Sequence, residues 1–218
     1  AMDEYGVRSQ NKAEAAISRG FFEMDITPVT MPDGTVVSTD DGPRAGVTLE
    51  AVSQLKPVFR PDGRVTAGNA CPLNDGAAAV VVMSRKRAEE LGITPLARII
   101  ASSVSALNPE IMGLGPIEAI KRVLARADMT MSDIDLVEIN EAFAAQVIPS
   151  ADELGIDMVD QLNVNGGAIA LGHPFGQTGA RIMTTLLHGL EDSDKTFGLE
   201  SMCVGGGQGM AMIVERLS

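Results

Sequence analysis

Two glycine-rich segments each surround one side chain that could transfer protons. His173 lies within residues 165–179, and Cys203 lies within residues 201–210. Glycine is entropically costly, so such clusters usually mark a turn or a ligand that needs backbone without side chains. Either residue alone is more often structural, as a satisfied core histidine or an inert buried thiol. Together they favour acid–base catalysis, in which an imidazole lowers the pKa of a nearby thiol.

A polar dipeptide follows the strand predicted over residues 135–139. Asn140 and Glu141 begin the run Asn-Glu-Ala-Phe-Ala. In open α/β sheets, ligands bind beyond the carboxyl ends of the strands, which is where this run is expected. Asn140 is therefore either a helix cap or an amide that orients a ligand, and the dipeptide alone does not decide between them.

Several other kinds of site are excluded by spacing. The glycines at 205–209 precede a predicted strand instead of a helix, and those at 166–172 are wrongly spaced, so neither segment is a dinucleotide fingerprint. The cysteines, Cys71 and Cys203, are far apart and lack metal-ligand spacing. This argues against a disulfide framework and against a zinc site.

The charge of the chain excludes general nucleic-acid binding. Its formal net charge is −12, whereas nucleic-acid binding needs basic surface. A few basic side chains and helix N-termini could still hold an anionic small ligand. The sequence has no apolar run of membrane-spanning length and no signal-peptide pattern, and the unpaired cysteines suit a reducing compartment, so a cytoplasmic protein is expected.

Strands and helices that could position these side chains alternate after a loop-rich first part. Helices are predicted over 8–19, where Gly20 ends the helix, and over 48–55. Strands are predicted over 77–83, 96–105, 135–139, 197–204 and 210–215, and further helices over 84–92, from Pro116, over 142–154 and over 179–190. This pattern predicts an α/β sheet covered on both faces that ends in an antiparallel hairpin.

Several segments, taken together, resemble the signatures of the thiolases, enzymes that make or cleave 3-ketoacyl-CoA thioesters. The motifs are Asn140-Glu-Ala-Phe-Ala, Gly166-Gly-Ala-Ile-Ala-Leu-Gly-His-Pro and Cys203-Val-Gly-Gly-Gly-Gln-Gly. Segments at 41–44, 55–59 and 65–79 resemble further thiolase segments in the expected order. The resemblance covers essentially the whole chain.

The resemblance implies a thiolase-like α/β fold, with two halves of the same topology and a loop domain inserted in the first. Residues 1–67 would be the C-terminal part of the loop domain, and 68–95 the last strand and helix of the N-terminal half. Residues 96–218 would form the C-terminal domain, with a mixed five-stranded sheet covered by helices on both faces. The nucleophilic cysteine of the family, which carries the acyl group, would lie upstream of these residues.

The resemblance also implies catalytic roles. His173 resembles the histidine that activates the nucleophile and helps bind the thioester oxygen. Cys203 resembles the second cysteine, which moves a proton at the α-carbon or the departing thiol. Asn140 resembles the residue that holds a water in an oxyanion hole, and the N–H of Gly205 would contribute to a second hole. Phe175 stands where an aliphatic residue is usual, which could alter the pocket.

Coenzyme A and acyl-CoA would be substrates, with no tightly bound cofactor and no metal. Arg44 and Phe59 resemble positions at the adenine end of CoA, and Cys71 resembles a position near the pantetheine. Met112 and Phe143 resemble walls of the acyl pocket, although simple core packing explains them as well. Cys71 is rejected as the nucleophile, because its segment matches a serine-containing segment of the family.

The expected function is acyl transfer by an acetyl-CoA acetyltransferase or a 3-ketoacyl-CoA thiolase that forms homodimers or tetramers. The segment 41–59 favours the degradative enzymes of fatty acid β-oxidation. The 218 residues alone are expected to be inactive. One alternative is a non-catalytic CoA- or lipid-binding module, which would have no reason to keep Asn140, His173 and Cys203 together. A decarboxylating ketoacyl synthase is disfavoured, because it would pair two histidines with a cysteine.

Overall fold

The computed structural model describes residues 1–217, in which strands and helices alternate along the second half of the chain. The elements before residue 95 are α1 (Met2–Ser18), β1 (Val29–Thr30), β2 (Val36–Val37), α2 (Leu49–Ser53) and α3 (Arg85–Leu91). Those after it are β3 (Ala97–Ala106), α4 (Gly115–Ala127), β4 (Leu136–Ile139), α5 (Ala144–Leu154), α6 (Ala168–Leu171), α7 (Thr178–Asp192), β5 (Phe197–Val204) and β6 (Gln208–Arg216). Helix α1 starts earlier than predicted, and α5 continues through Pro149.

The main sheet is mixed, in the order β3-β6-β5-β4. Strands β4 and β5 run parallel, and the other neighbours are antiparallel. The predicted terminal hairpin is confirmed, with Cys203 paired to Gly209 across it. Its turn needs glycine, because Gly206 and Gly207 have φ values of 87° and 91°. The hairpin therefore brings Cys203 to the end of the sheet.

The main sheet has four strands within residues 1–217, so the expectation of five was wrong in number. The fifth position is reduced to a single parallel bridge between Val137 and Leu162. The ladder stops there because Asn163 has a left-handed φ of 44°, which asparagine tolerates better than most residues. The Asn163 side chain bonds to Ile139 instead, accepting its N–H at 2.9 Å and donating to its carbonyl at 2.9 Å.

The apolar run over 77–83 was wrongly predicted to be a buried strand. It pairs with no strand that the structure describes, and Val81 is 83% exposed. An apolar run becomes a strand only when a neighbouring strand supplies partners for its backbone N–H and C=O groups. The sequence pattern indicated the apolar character of the run but carried no information about that neighbour.

Helices cover both faces of the main sheet, as predicted. Apolar residues of α4 and α5, among them Ile120, Val123 and Val147, pack on one face. Leu186 and Leu190 of α7, one turn apart, pack on the other face. Among residues 1–217 no helix has the length and apolar character needed to cross a lipid bilayer.

Candidate active site

His173 lies in the loop between α6 and α7, and its backbone is anchored by a side chain from a distant segment. The His173 N–H donates to Asn74 Oδ1 at 3.0 Å. The preceding Gly172 has φ 90°, and a Cβ there would lie 2.4 Å from Asn74 Nδ2. Glycine is therefore required at this position for both conformation and space. His173, Asn74, Leu73 and Phe175 line a cavity of about 350 Å³.

The imidazole of His173 contacts a neutral hydroxyl group. Its Nδ1 lies 2.7 Å from Thr178 Oγ1, and its ring packs edge-on against Phe175 at a centroid distance of 5.0 Å. Burial lowers the pKa of His173, and the positive charge of Arg181 lowers it further. The ring is therefore neutral at pH 7 and can accept a proton.

Cys203 ends the buried part of β5, where its side chain is nearly inaccessible to solvent. Burial raises the pKa of its thiol, so the expected lowering by a neighbouring imidazole was wrong. No hydrogen bond joins the Cys203 thiol to His173 within the described chain. Cys203 is thus a thiol that holds its proton at neutral pH, which suits a proton donor better than a thiolate nucleophile.

Asn140 follows β4, and its side-chain amide is buried without a partner. Its backbone N–H donates to Ser201 O at 2.9 Å, which continues the pairing of β4 with β5. Its Oδ1 and Nδ2 atoms find no hydrogen-bond partner in residues 1–217. Phe143 occupies the N-cap of α5 and no side chain caps that helix, so Asn140 is not a helix cap. A buried unpaired amide costs about 1–3 kcal/mol, which indicates a ligand or water as its missing partner.

Gly205 opens the turn between β5 and β6. A Cβ on Gly205 would meet no atom within 4 Å, so the space beside it is open. The nearby Gly207 differs, since a Cβ there would lie 2.3 Å from Leu107 O. Tight packing behind the turn and open space beside Gly205 leave room for another molecule to approach this backbone.

The structure separates the predicted CoA-contacting residues into different environments. Phe59 and Phe143 pack edge-on at 6.0 Å and share an apolar groove of about 630 Å³, with Ile111 and Leu114 among the other lining residues. Met112 lies in the short 3-10 helix Pro109–Leu114 and is not among the residues that line the groove.

The remaining two predicted CoA-contacting residues, Arg44 and Cys71, are not among the residues that line this groove. Arg44 is exposed, and its backbone N–H donates to Gln10 Oε1 at 3.0 Å. Cys71 is bonded through its N–H to Ala142 O at 3.1 Å. Burial raises the pKa of Cys71, and electrostatic coupling to nearby Cys203 raises it further. The structure therefore brings Cys71 close to Cys203, which spacing along the chain did not indicate.

The buried carboxylate of Glu141 connects several segments around the site, and this role was not predicted. Its carboxylate accepts hydrogen bonds from Tyr5 Oη at 2.9 Å and Ser9 Oγ at 2.6 Å, both on α1. It also accepts from Asn163 Nδ2 at 2.9 Å and from the Ile169 N–H at 3.1 Å. These bonds tie α1, the loop after β4 and the glycine-rich loop before His173 to one buried side chain. The only signal in the sequence was its position next to Asn140.

A second buried charged group, the Arg181 cluster, lies on the α7 face of the sheet and was also missed. It consists of Arg181 with Glu138 and Glu200, which occupy paired positions on β4 and β5. Burial raises the pKa of each carboxyl to about 8, and the Arg181 charge opposes that rise. The three guanidinium nitrogens and Glu200 Oε2 are buried without a hydrogen-bond partner in the described residues.

The comparisons with known proteins agree with this geometry. The sequence model described as "Thiolase, C-terminal domain" matches residues 93–216, and "Thiolase, N-terminal domain" matches residues 1–86. The acetyl-CoA acetyltransferase of Cupriavidus necator is 52% identical over 99% of the chain and 56% of its own length. That of Escherichia coli is 50% identical over 99% of the chain and 55% of its own length.

Solved structures give the same result. The acetyl-CoA acetyltransferase of Bacillus anthracis superposes with a TM-score of 0.96 at 47% identity, covering 99% of this chain and 55% of its own. Human mitochondrial 3-ketoacyl-CoA thiolase in complex with CoA superposes at 0.92 and 41% identity, covering 99% of this chain and 54% of its own. The chain spans about half the length of the curated relatives it matches. With its α/β fold and its motif residues at one end of the sheet, the chain belongs to the thiolase family.

Proposed function

We propose that this chain is part of a thiolase-type acyltransferase, which cleaves 3-ketoacyl-CoA with CoA or condenses two acyl-CoA molecules. The observation that carries the proposal is the buried, unpartnered amide of Asn140 at the end of β4. An amide without a protein partner suits an oxyanion hole, in which it holds a water or the oxygen itself. The relatives, which include acetyl-CoA acetyltransferases and a 3-ketoacyl-CoA thiolase, support the same reaction class.

Each of the four candidate catalytic residues has a role that its surroundings suit. Neutral His173 takes the proton from the attacking thiol, since its pKa is lowered by burial and by Arg181. Cys203, whose pKa is raised by burial, donates and recovers a proton at the substrate α-carbon or the departing thiol. Asn140 and the N–H of Gly205 stabilise negative charge on the thioester oxygen. Neither Cys71 nor Cys203 carries the acyl group, so the 218-residue chain alone has no turnover.

CoA and acyl-CoA are the proposed substrates. Phe143 is proposed to form a wall of the acyl pocket in the apolar groove, whose lining suits an apolar chain. Phe59, which shares that groove, is proposed to contact the adenine end of CoA. Arg44, exposed on the surface, is proposed to contact the adenine end of CoA, and Cys71 is proposed to lie near the pantetheine. Met112 does not line the groove. It is therefore proposed to reach the acyl chain only when acyl-CoA is bound.

The wider assignments are also proposals. We propose a loop-domain part over 1–67, the end of the N-terminal half over 68–95, and a C-terminal domain over 96–218, of which residue 218 lies outside the described residues. The family matches over 1–86 and 93–216 support a boundary near residue 95. The protein is proposed to be a cytoplasmic homo-oligomer. It is proposed to act in fatty acid β-oxidation, and the alternative is the condensation of acetyl-CoA.

The test is CoA-dependent cleavage of acetoacetyl-CoA and longer 3-ketoacyl-CoA by a protein that carries this segment at the length of its relatives. Asn140→Ala should lower kcat about 100- to 1000-fold, as loss of one oxyanion donor does. The control is Gln54→Ala, which removes an exposed amide at the end of α2 and should change nothing. Full activity of Asn140→Ala would contradict the assigned role of this amide.

A non-catalytic module that binds CoA or lipid is the second candidate. Its supporting observation is the apolar groove beside Phe59 and Phe143, which could hold a ligand without chemistry. Calorimetric titration with CoA, run beside the cleavage assay, separates the two functions. Binding of CoA without cleavage of any 3-ketoacyl-CoA by the longer protein would establish the module and refute the acyltransferase.

A further inference from the structure

We propose that Thr178 is a positioning residue that holds His173 in its Nδ1–H tautomer, leaving the Nε2 lone pair as the base. Thr178 is the first residue of α7 and is fully buried. Among the described residues its hydroxyl bonds to His173 Nδ1 and Pro174 O, so it acts through the histidine and not on a substrate. The inference deepens the proposed function and rests on it only for the use of the base.

The Thr178 hydroxyl has a single hydrogen, which it can donate to only one of its two neighbours. Thr178 Oγ1 lies 2.9 Å from Pro174 O and 2.7 Å from His173 Nδ1. A carbonyl oxygen can only accept, so the threonine hydroxyl donates to Pro174 O. Its remaining capacity is as an acceptor, and the proton between Oγ1 and Nδ1 must therefore come from the histidine.

The opposite tautomer leaves an unfavourable contact. If Thr178 donated to an unprotonated Nδ1, the lone pairs of Oγ1 and Pro174 O would face each other at 2.9 Å with no hydrogen between them. Pro174 O accepts the N–H groups of Gln177 at 3.0 Å and Thr178 at 3.2 Å as well, so every neighbour treats it as an acceptor. A donor chain from His173 through Thr178 to Pro174 satisfies all three groups, and burial strengthens it.

The rest of the loop directs the other nitrogen toward the cavity. The backbone of His173 is held by Asn74, and its ring is packed against Phe175. With Nδ1 bound to the start of α7, Nε2 is the ring atom left for the cavity that His173 lines. No hydrogen bond to Nε2 occurs within residues 1–217, which leaves its lone pair available for a thiol proton.

The experiment reads the tautomer by NMR of the 218-residue chain labelled with ¹⁵N-histidine. The chain has two histidines, so the variant His188→Gln leaves one imidazole to observe. At a pH where His173 is neutral, we expect Nδ1 to resonate as an N–H nitrogen and Nε2 as a lone-pair nitrogen. In Thr178→Val the ratio of Nδ1–H to Nε2–H tautomer should fall about fivefold, the equivalent of one hydrogen bond. Thr178→Ser should restore the ratio.

The outcomes separate this inference from the proposed function. An Nε2–H tautomer in the chain with Thr178 would overturn the inference, and so would a ratio unchanged by Thr178→Val. If Thr178→Val does not fold, the tautomer of the parent chain and of Thr178→Ser still decides. No step of the measurement needs turnover, so an inactive longer protein with an Nδ1–H imidazole would overturn the acyltransferase and support the role of Thr178.

Discussion

The two ends of helix α7 hold the two histidines of the chain in opposite electrostatic states. His173 precedes the helix, and burial together with Arg181 lowers its pKa. His188 lies near the other end, and a hydrogen bond with Asp25 raises its pKa. Both side chains are partly buried, so the degree of burial does not distinguish them.

The partner at Nδ1 makes the difference. His188 Nδ1 bonds to Asp25 Oδ1, and Asp25 Oδ2 also accepts from Thr185 at 2.9 Å, which holds the carboxylate in place. A carboxylate partner stabilises the charged imidazolium. His173 bonds to the neutral hydroxyl of Thr178 instead, so nothing offsets the cost of burying a charge. Helix α7 therefore has a neutral proton acceptor before its start and a charged histidine–aspartate pair near its end.

The Arg181 cluster, between these ends, is where burial should have the largest effect. Glu200 has a pKa of about 8, above its ordinary value of 4.5, so its folded form binds the proton more tightly. Its stabilising contribution is complete below pH 4.5 and is lost as pH rises toward 8. Glu138 behaves in the same way. Across this window the free energy of unfolding should fall by about 1.4 kcal/mol per pH unit for each group.

The variant Glu200→Gln removes one titrating group. The decrease of its free energy of unfolding with pH should therefore be smaller than that of the parent by about 1.4 kcal/mol per pH unit. At pH 8 the variant should be more stable than the parent by several kcal/mol, of the order of 3. Urea denaturation from pH 5 to pH 8 measures both quantities. The control is Glu89→Gln, an exposed carboxylate on α3, which should leave the slope unchanged. A parent chain whose stability does not fall over this window, and matches Glu200→Gln in slope, would show that Arg181, not burial, controls the cluster.

The sequence predicted which strands and loops carry the motif residues better than it predicted the contacts around those residues. Helical and strand periodicity located β4, β5, β6 and α7, and motif residues at strand ends placed Asn140 and Cys203 correctly. These features are local, because a strand ends and a turn begins within a few residues. The hairpin that positions Cys203 and the loop that holds His173 follow from glycine patterns of this local kind.

The features that set protonation depend on contacts that no local pattern contains. Asn74 is 99 residues from the His173 backbone it anchors. Glu138 and Glu200 share a pair position only because β4 and β5 lie parallel in that register. Burial and register are set by the assembled fold, so the raised thiol pKa of Cys203 was not predictable from its glycine neighbours.

The histidine–aspartate pair near the end of α7 gives the next largest effect. In Asp25→Asn the neutral amide no longer stabilises the imidazolium, so the pKa of His188 should fall toward its ordinary value. The raised pKa of His188 contributes stability below pH 6.5 that is lost as pH rises through the folded pKa. At pH 5.5 the variant should therefore be less stable by about 1–2 kcal/mol, and the difference should shrink by pH 8.

Urea denaturation at the two pH values and ¹H–¹⁵N NMR titration of His188 check this expectation together. The control is Asp62→Asn, which removes an exposed loop carboxylate. An Asp25→Asn chain in which His188 titrates as before would mean that the charge of His188 depends on Glu191, which also raises this pKa. The two ends of α7 would then differ through helix charges and not through their Nδ1 partners.

The smallest effect concerns Arg181 and His173. Burial is the larger cause of the lowered pKa of His173, and the Arg181 charge is the smaller. In Arg181→Met the pKa of His173 should therefore rise but stay below its ordinary value of 6.5. NMR titration of the imidazole measures the shift, and Arg85→Met, which removes an exposed cation on α3, is the control. A pKa of His173 above 6.5 in Arg181→Met would mean that the Arg181 charge, and not the lack of a carboxylate partner, keeps His173 neutral. The two histidines would then differ in pKa because of the charges near them and not because of their Nδ1 partners.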